Sequence, residues 1–313
     1  MHSTSPWHRG EQLLQQRLGV SSQMAAVGQR VIRDYMPEQH RQFYAQLPFL
    51  LLGAVDAAGW PWAGVLEGAP GFVQSPDPRL LTIAAQPGRD DPLHTCLSPG
   101  APVGLLGIEL PTRRRNRMNG RLQACTGAGL TVAVEQSFGN CPKYIQQRDV
   151  CVVPRPAGPA APAEQHGALD VAARQLIASA DTLFVASSFP GDASQPAASV
   201  DVSHRGGKPG FVRVDGNRLT IPDFSGNRFF NTLGNLLLNP RAGLLFIDFA
   251  NGDLLQLTGR TEIIWHDERI AAFAGCERAW HFTVEQMWRR RGALALRGLP
   301  PQLSPSLQHT GTW

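Results

Sequence analysis

Short words recur in this chain at a fixed distance of 139 residues. GFV at 71–73 returns at 210–212, VGLLGIEL at 103–110 returns as AGLLFIDF at 242–249, and Gly120-Arg121 returns as Gly259-Arg260. RLLTI (79–83) pairs with RLTI (218–221) after a slip of one residue. Several matches in one order, most at one spacing, predict two homologous halves, roughly residues 38–135 and 168–266, each of domain size.

Both halves follow one plan. A short amphipathic helix opens each, EQHRQFYAQL (38–47) and ALDVAARQLIASA (168–180). A β run follows, FLLLGAV or TLFVAS, then a turn, a second apolar run, the GFV strand and the LTI strand. VDGNRLTI is a hairpin signature. NTLGNLLLNP (231–240) fits a helix that Pro240 ends. Two longer strands close the second half, AGLLFIDF and LLQLTGRTEII. Five or six antiparallel strands with one or two helices predict a small β-barrel per half. The expected organisation is a helical segment (1–37), a first repeat (38–152), a Pro/Ala-rich linker (153–167), a second repeat (168–290) and a loosely ordered tail (291–313).

Composition narrows the function. The net charge of +4 rests on 27 arginines against two lysines, Lys143 and Lys208. The basic residues cluster only at 113–117 and 289–291, which argues against a nucleic-acid partner. The longest apolar run, FLLLGAV, is too short to span a bilayer, and no secretory h-region opens the chain, so a cytoplasmic protein is expected. Five scattered cysteines without a CxxC give neither a disulfide framework nor a metal site.

The usual catalytic signatures are missing: no GxSxG, HExxH, GxxxxGK[ST] or strand-borne GxGxxG. His204 lies beside Ser203 and Asp201, but neighbours on a strand alternate faces, which argues against a serine triad. The halves differ where VLEGAPGFV is replaced by SHRGGKPGFV. The second half gains Arg205, Lys208, Arg213, Ser225, Asn227 and Arg228 around one hairpin and a helix start. Such donors fit an anion, with a nucleotide-type phosphate the best match, or else a solvated turn with ordinary surface arginines.

The stretches SHRGGKPGFVRV, LTIPDFSGNRFFNTLGNLLLNPRAGLLFIDF, LLQLTGR and SFGNCPKYIQQR together resemble the FMN-binding split barrels of the pyridoxamine 5′-phosphate oxidase superfamily, in its duplicated group. The resemblance covers about residues 38–270. It implies a mainly β fold with short helices, two tandem split β-barrels forming an internal pseudo-dimer, with FMN at the interface and the first repeat serving as partner wall. It carries the flavin-lining strands onto Phe211, Val212, Arg213, Ile221, Pro222 and Asp223. The phosphate turn falls on Ser225, Asn227 and Arg228, and a later glutamine on Gln256. Ser203, His204, Arg205, Asn140, Lys143 and Tyr144 complete the expected lining. The family's lysine in the phosphate turn is missing from SGNR, and Lys208 is expected to replace it. No counterpart of the oxidases' substrate segment is present, so the implied activity is a flavin oxidoreductase with an unspecified small-molecule substrate. Its electron donor would be NAD(P)H or a reductase, and a homodimer is compatible. A flavin carrier or sensor, or a split barrel holding haem, are the other classes. Cys141 reads either as a redox group or as a small buried hydrophobe.

Overall fold

The computed structural model describes residues 5–154, 161–193, 195–265 and 267–313. The centre of the expected linker, 155–160, lies outside them. The chain opens with three helices, α1 (Arg9–Arg17), α2 (Ser21–Val31) and α3 (Glu38–Ala45). Seven strands follow: β1 (Phe49–Val55), β2 (Pro61–Glu67), β3 (Val73–Asp77), β4 (Leu80–Ile83), β5 (Pro102–Glu109), β6 (Arg114–Thr126) and β7 (Gly129–Gly139). After the short β8 (Val150–Val152) and β9 (Glu164–His166), helix α4 (Val171–Ser179) opens the second half. Its strands are β10 (Thr182–Phe189), β11 (Ser199–Gly206), β12 (Arg213–Asp215), β13 (Arg218–Phe224), β14 (Arg241–Asp248), β15 (Asp253–Ile264) and β16 (Cys276–Arg290). Helix α5 (Asn231–Leu238) follows β13, α6 (Glu268–Ala271) precedes β16, and β17 (Leu296–Gly298) comes last.

The strands form two large antiparallel sheets, ordered β2-β1-β5-β6-β7-β4-β3 and β11-β10-β14-β15-β16-β13-β12. Ranked within its own half, each sheet has the order 2-1-5-6-7-4-3. Register agrees as well. Gly53 pairs with Gly104 as Ala186 pairs with Gly243, and the register shifts at Gly120 in one half and at Gly259 in the other.

Each half has seven strands where five or six were expected; β16 lies beyond the repeated words that end near 266, and β7 runs past 135. In β16, Trp280, Phe282 and Val284 are buried while Thr283 and Glu285 face out, the alternation of a half-buried strand. Two further expectations fail. Glu164–His166, placed in the linker, pairs with Met287–Arg289 of β16. The C-terminal segment is not loose. β17 pairs with β8, and Trp313 donates its ring N–H to the Phe211 carbonyl and packs on Phe273 with ring centroids 4.6 Å apart.

Each sheet has its own apolar core, and a third core joins the two. This third core mixes Leu51, Val65 and Leu106 of the first half with Phe184, Val202 and Leu245 of the second. Two glycines set the spacing. A Cβ on Gly104 would lie 2.6 Å from the Val200 carbonyl oxygen, and one on Gly243 would lie 2.4 Å from that of Pro61. The contacts are equivalent, since Gly104 in β5 meets β11 as Gly243 in β14 meets β2. The glycine shared by VGLLGIEL and AGLLFIDF therefore lets backbone meet backbone across the interface.

Gly243→Ala is expected to lower stability by about 1–3 kcal/mol, the usual cost of overpacking against atoms that cannot yield. Gly127→Ala, where no atom lies within 4 Å of the added Cβ, should change stability by less than about 0.5 kcal/mol. Denaturant midpoints of the two variants check this.

Candidate functional site

Where the first half meets β11 and α5, a cleft opens to solvent. Its walls come from both halves. Arg115 and Arg117 project from β6, and Asn140, Cys141, Lys143 and Tyr144 follow β7. The second half adds Ser203–Gly206 of β11, Pro222–Phe224 of β13, the turn Gly226–Arg228, the first turn of α5, and Glu277 and Arg278 of β16. The 140–144 segment comes close because residue 206 has no side chain: a Cβ there would lie 2.0 Å from the Tyr144 carbonyl oxygen. Tyr144 then donates its hydroxyl to the Ser225 carbonyl at 3.0 Å.

Local backbone is shaped around this cleft. Non-glycine residues with positive φ include Tyr144 (64°), Arg228 (62°) and Phe230 (64°), all in its wall. Such conformations cost of order 1–3 kcal/mol each and persist where surrounding contacts hold them. Phe230 is the residue before α5, and no side chain caps that helix, which leaves its first turn facing the cleft.

The charges are unbalanced. Six cationic side chains line the cleft, Arg115, Arg117, Lys143, Arg205, Arg228 and Arg278, against the carboxylates of Asp223 and Glu277. Asp223 is shared, accepting from Arg205 at 2.8 Å and from Arg278 at 2.7 Å, while Arg278 also pairs with Glu277. Arg117 pairs behind the wall with Asp201 at 2.8 Å and also donates to Ser203. Arg115, Lys143 and Arg228 have no carboxylate partner among the described residues.

Arg115 is half-buried, and loss of solvent around its guanidinium together with the charges of Arg117 and Arg205 pushes it down to about 9. Burial first, then Arg115 and Arg205, holds His204 well below the usual histidine value, so its imidazole is neutral at pH 7. Among the described residues, six buried polar atoms of the wall find no hydrogen-bond partner: Nε of Arg115, Arg117 and Arg205, Nδ2 of Asn140, and both ring nitrogens of His204. Buried polar atoms are ordinarily satisfied, so these six take their partners from solvent entering the cleft or from a bound ligand.

Of the residues singled out in the sequence, Ser203, His204, Arg205, Pro222, Asp223, Asn227, Arg228, Asn140, Lys143 and Tyr144 meet in this cleft. Ser225 stands at its edge as the acceptor for Tyr144. The others lie elsewhere. Lys208 donates to the Thr310 carbonyl at 2.7 Å and ties down the C-terminal segment. Phe211, Val212 and Ile221 belong to the second-half core, the first two from the turn that precedes β12 and Ile221 from β13. Arg213 begins β12 at the far sheet edge, and Gln256 is fully buried. Arg115, Arg117, Asn231, Thr232 and Arg278 escaped the sequence reading. Comparing the halves holds a signal for two of them, since residues 115 and 117 correspond to Leu254 and Gln256 at the 139-residue spacing.

The same comparison explains why, among the described residues, the cleft has no twin. Through the strand pairings, Asp201, Ser203, His204 and Arg205 correspond to Trp62, Gly64, Val65 and Leu66. At the equivalent place in the first half, Gln256 donates to the Ala63 carbonyl and to Asp91, and Asp91 pairs with Arg290. Leu93 packs over Gly64, where a Cβ would lie 2.5 Å from it. That space is filled by side chains. The cluster of Glu164, His166 and Asp170 is no better as a metal centre, because both carboxylates are already paired with Arg289 or Arg291.

Protonation of His204 should be coupled to stability. Its folded value lies below the unfolded value near 6.5, so its share of stability is complete above pH 6.5 and is lost as pH falls. The loss in ligand-free protein should approach about 1.4 kcal/mol per pH unit below 6.5. His204→Gln should flatten this part of the profile, measured as denaturant midpoints between pH 7.5 and 5.

Residues 169–297 match the family model for pyridoxamine 5′-phosphate oxidase. Similar solved structures include HupZ of Group A Streptococcus, 15% identical, covering 37% of this chain and 90% of that one with a TM-score of 0.29. A Clostridium acetobutylicum protein of the pyridoxinephosphate oxidase family, related to general stress protein 26 of B. subtilis, is 17% identical and covers 41% of this chain and 92% of that one, with a TM-score of 0.26. No curated protein sequence matches the chain. Among the described residues no helix is long and apolar enough to cross a membrane. The second half of the chain, which supplies β11, β13, α5 and β16 to the cleft, is a pyridoxamine 5′-phosphate oxidase-like split-barrel domain.

Proposed function

We propose that the chain binds one FMN in the inter-half cleft and acts as a flavin-dependent oxidoreductase on a small-molecule substrate. One observation carries this reading: six unsatisfied buried polar atoms converge in a cation-rich cleft whose second-half wall is of the oxidase-like family. The two halves are read as tandem split barrels that pair as an internal dimer, the first serving as partner wall.

The residues fit the cofactor's chemistry. Asn227, Arg228 and the uncapped first turn of α5 suit a phosphate. Arg115, Asn140 and Arg205 offer donors to carbonyl and hydroxyl oxygens, and a neutral His204 offers one donor and one acceptor. Bound flavin would supply hydride or one-electron transfer, while the protein orients it and tunes it electrostatically. Arg115, a cation without a counter-ion, favours the more negative form of any ligand beside it. Pyridoxamine phosphate is not carried over as substrate, because the sequence has no counterpart of the oxidases' substrate segment.

A haem-binding reading rests on the neutral, unpartnered imidazole of His204 in the same wall. Heat release of the bound group followed by mass spectrometry separates the two. FMN at a ratio near one per chain supports the proposal; haem, or two flavins per chain, overturns it. Bleaching of the flavin band by NAD(P)H with reoxidation in air distinguishes an enzyme from a carrier.

Arg228→Ala should weaken FMN about tenfold to a hundredfold with little effect on riboflavin, the usual magnitude for a charge-assisted hydrogen bond to phosphate. Lys208→Met should leave FMN affinity unchanged, since its amine is engaged with Thr310. Titration of apo-protein with both ligands checks these outcomes.

A further inference from the structure

The N-terminal helices lie outside the family match at 169–297, yet α1 grips the back of the segment that forms the proposed anion end of the cleft. Four contacts converge on residues 229–234. The Trp7 and Phe229 rings lie 4.8 Å apart, and the Gln15 side chain donates to the Phe229 carbonyl at 3.4 Å. The Glu11 carboxyl accepts from the Asn231 side chain on one oxygen and from the His8 backbone N–H on the other. Helices α1 and α5 cross with backbones touching, since a Cβ on Gly10 would lie 2.1 Å from the Gly234 carbonyl oxygen. The gripped segment begins just after Arg228 and contains Phe230, two of the residues with positive φ.

We propose that α1 is a positioning clamp for the anion-binding turn and that Glu11, through Asn231, is its positioning residue. The proposal rests on the anion reading of the cleft only for its ligand test. Glu11 is 3% exposed. It faces His8 at the N-cap of its helix, Asp201 on β11, Arg117 on β6 and Asn231 on α5. Burial, then the charge of Asp201, pushes its carboxyl up to about 8, so it carries its proton at neutral pH. Because the folded value is raised, the clamp's contribution is complete below the ordinary value of 4.5 and is lost as pH rises through about 8.

The test uses the full chain, with Glu11→Ala and Glu11→Gln. Gln keeps a neutral side chain whose amide can pair with Asn231 after a flip of the latter. Hydrogen exchange reports the clamp without a ligand. Glu11→Ala should speed exchange at amides 227–234 while β14–β16 stay protected, whereas Glu11→Gln should stay near wild type. Equal protection in the Ala variant, or loss across the whole chain, overturns the proposal. With ligand, Glu11→Ala should lower FMN affinity about fivefold to tenfold, the worth of one good hydrogen bond, and leave riboflavin affinity unchanged. Between pH 7 and 9 wild type should lose more FMN affinity than Glu11→Gln; identical profiles overturn the proposal. If wild type does not distinguish FMN from riboflavin, the phosphate reading of the cleft fails, and hydrogen exchange still decides the clamp.

Discussion

The buried pair of Arg117 and Asp201 joins the halves where the cleft is backed. It bridges β6 of the first half and β11 of the second, with both side chains at most 5% exposed. Asp201 also accepts from Asn119 and Asn235, and Arg117 reaches Ser203, which accepts from Thr232 in the first turn of α5. Taking two charges out of water is costly, and a buried pair rarely adds net stability over apolar packing. What this pair fixes is geometry. It holds β6, β11 and α5 together at the floor of the cleft, next to the glycine contact between Gly104 and Val200.

That interaction also breaks the symmetry of the molecule. The backbone repeats, strand for strand, and the interface glycines repeat with it. The polar set does not. Where one half has Arg117 and Asp201, the equivalent positions hold Gln256 and Trp62, and an aspartate–arginine pair with Leu93 occupies the space beside them. One of the two equivalent clefts is filled with side chains, while the other gathers polar groups from both halves. The unsatisfied atoms of Arg115, Asn140 and His204 lie in this second cleft.

Much was legible in the sequence because it depends on local or periodic chemistry. Most elements proposed from apolar periodicity are close to their expected places, but each GFV forms the turn that leads into β3 or β12 and not a strand of its own. The anion cluster was legible in part because Arg205, Asn227 and Arg228 sit near one another along the chain and have no equivalents in the first half. Lys208 was misplaced for the same reason. Proximity in sequence suggested the cleft, but its ammonium turns to the Thr310 carbonyl of a C-terminal segment whose docking nothing nearby announces. Arg278 and the pair on β6 were missed because they come from strands more than 40 residues away along the chain from the anion turn.

The sequence alone determined the strand pattern, the duplicated plan and the kind of chemistry the second half can offer, since these follow from residue type and spacing within each half. Only the tertiary structure decided which side chains share a cleft, because that depends on how closely two sheets approach across Gly104 and Gly243. It also decided that Glu11, near the start of the chain, meets Asn231 at the head of α5. A contact between residues 220 positions apart is set by packing, and no local pattern encodes it.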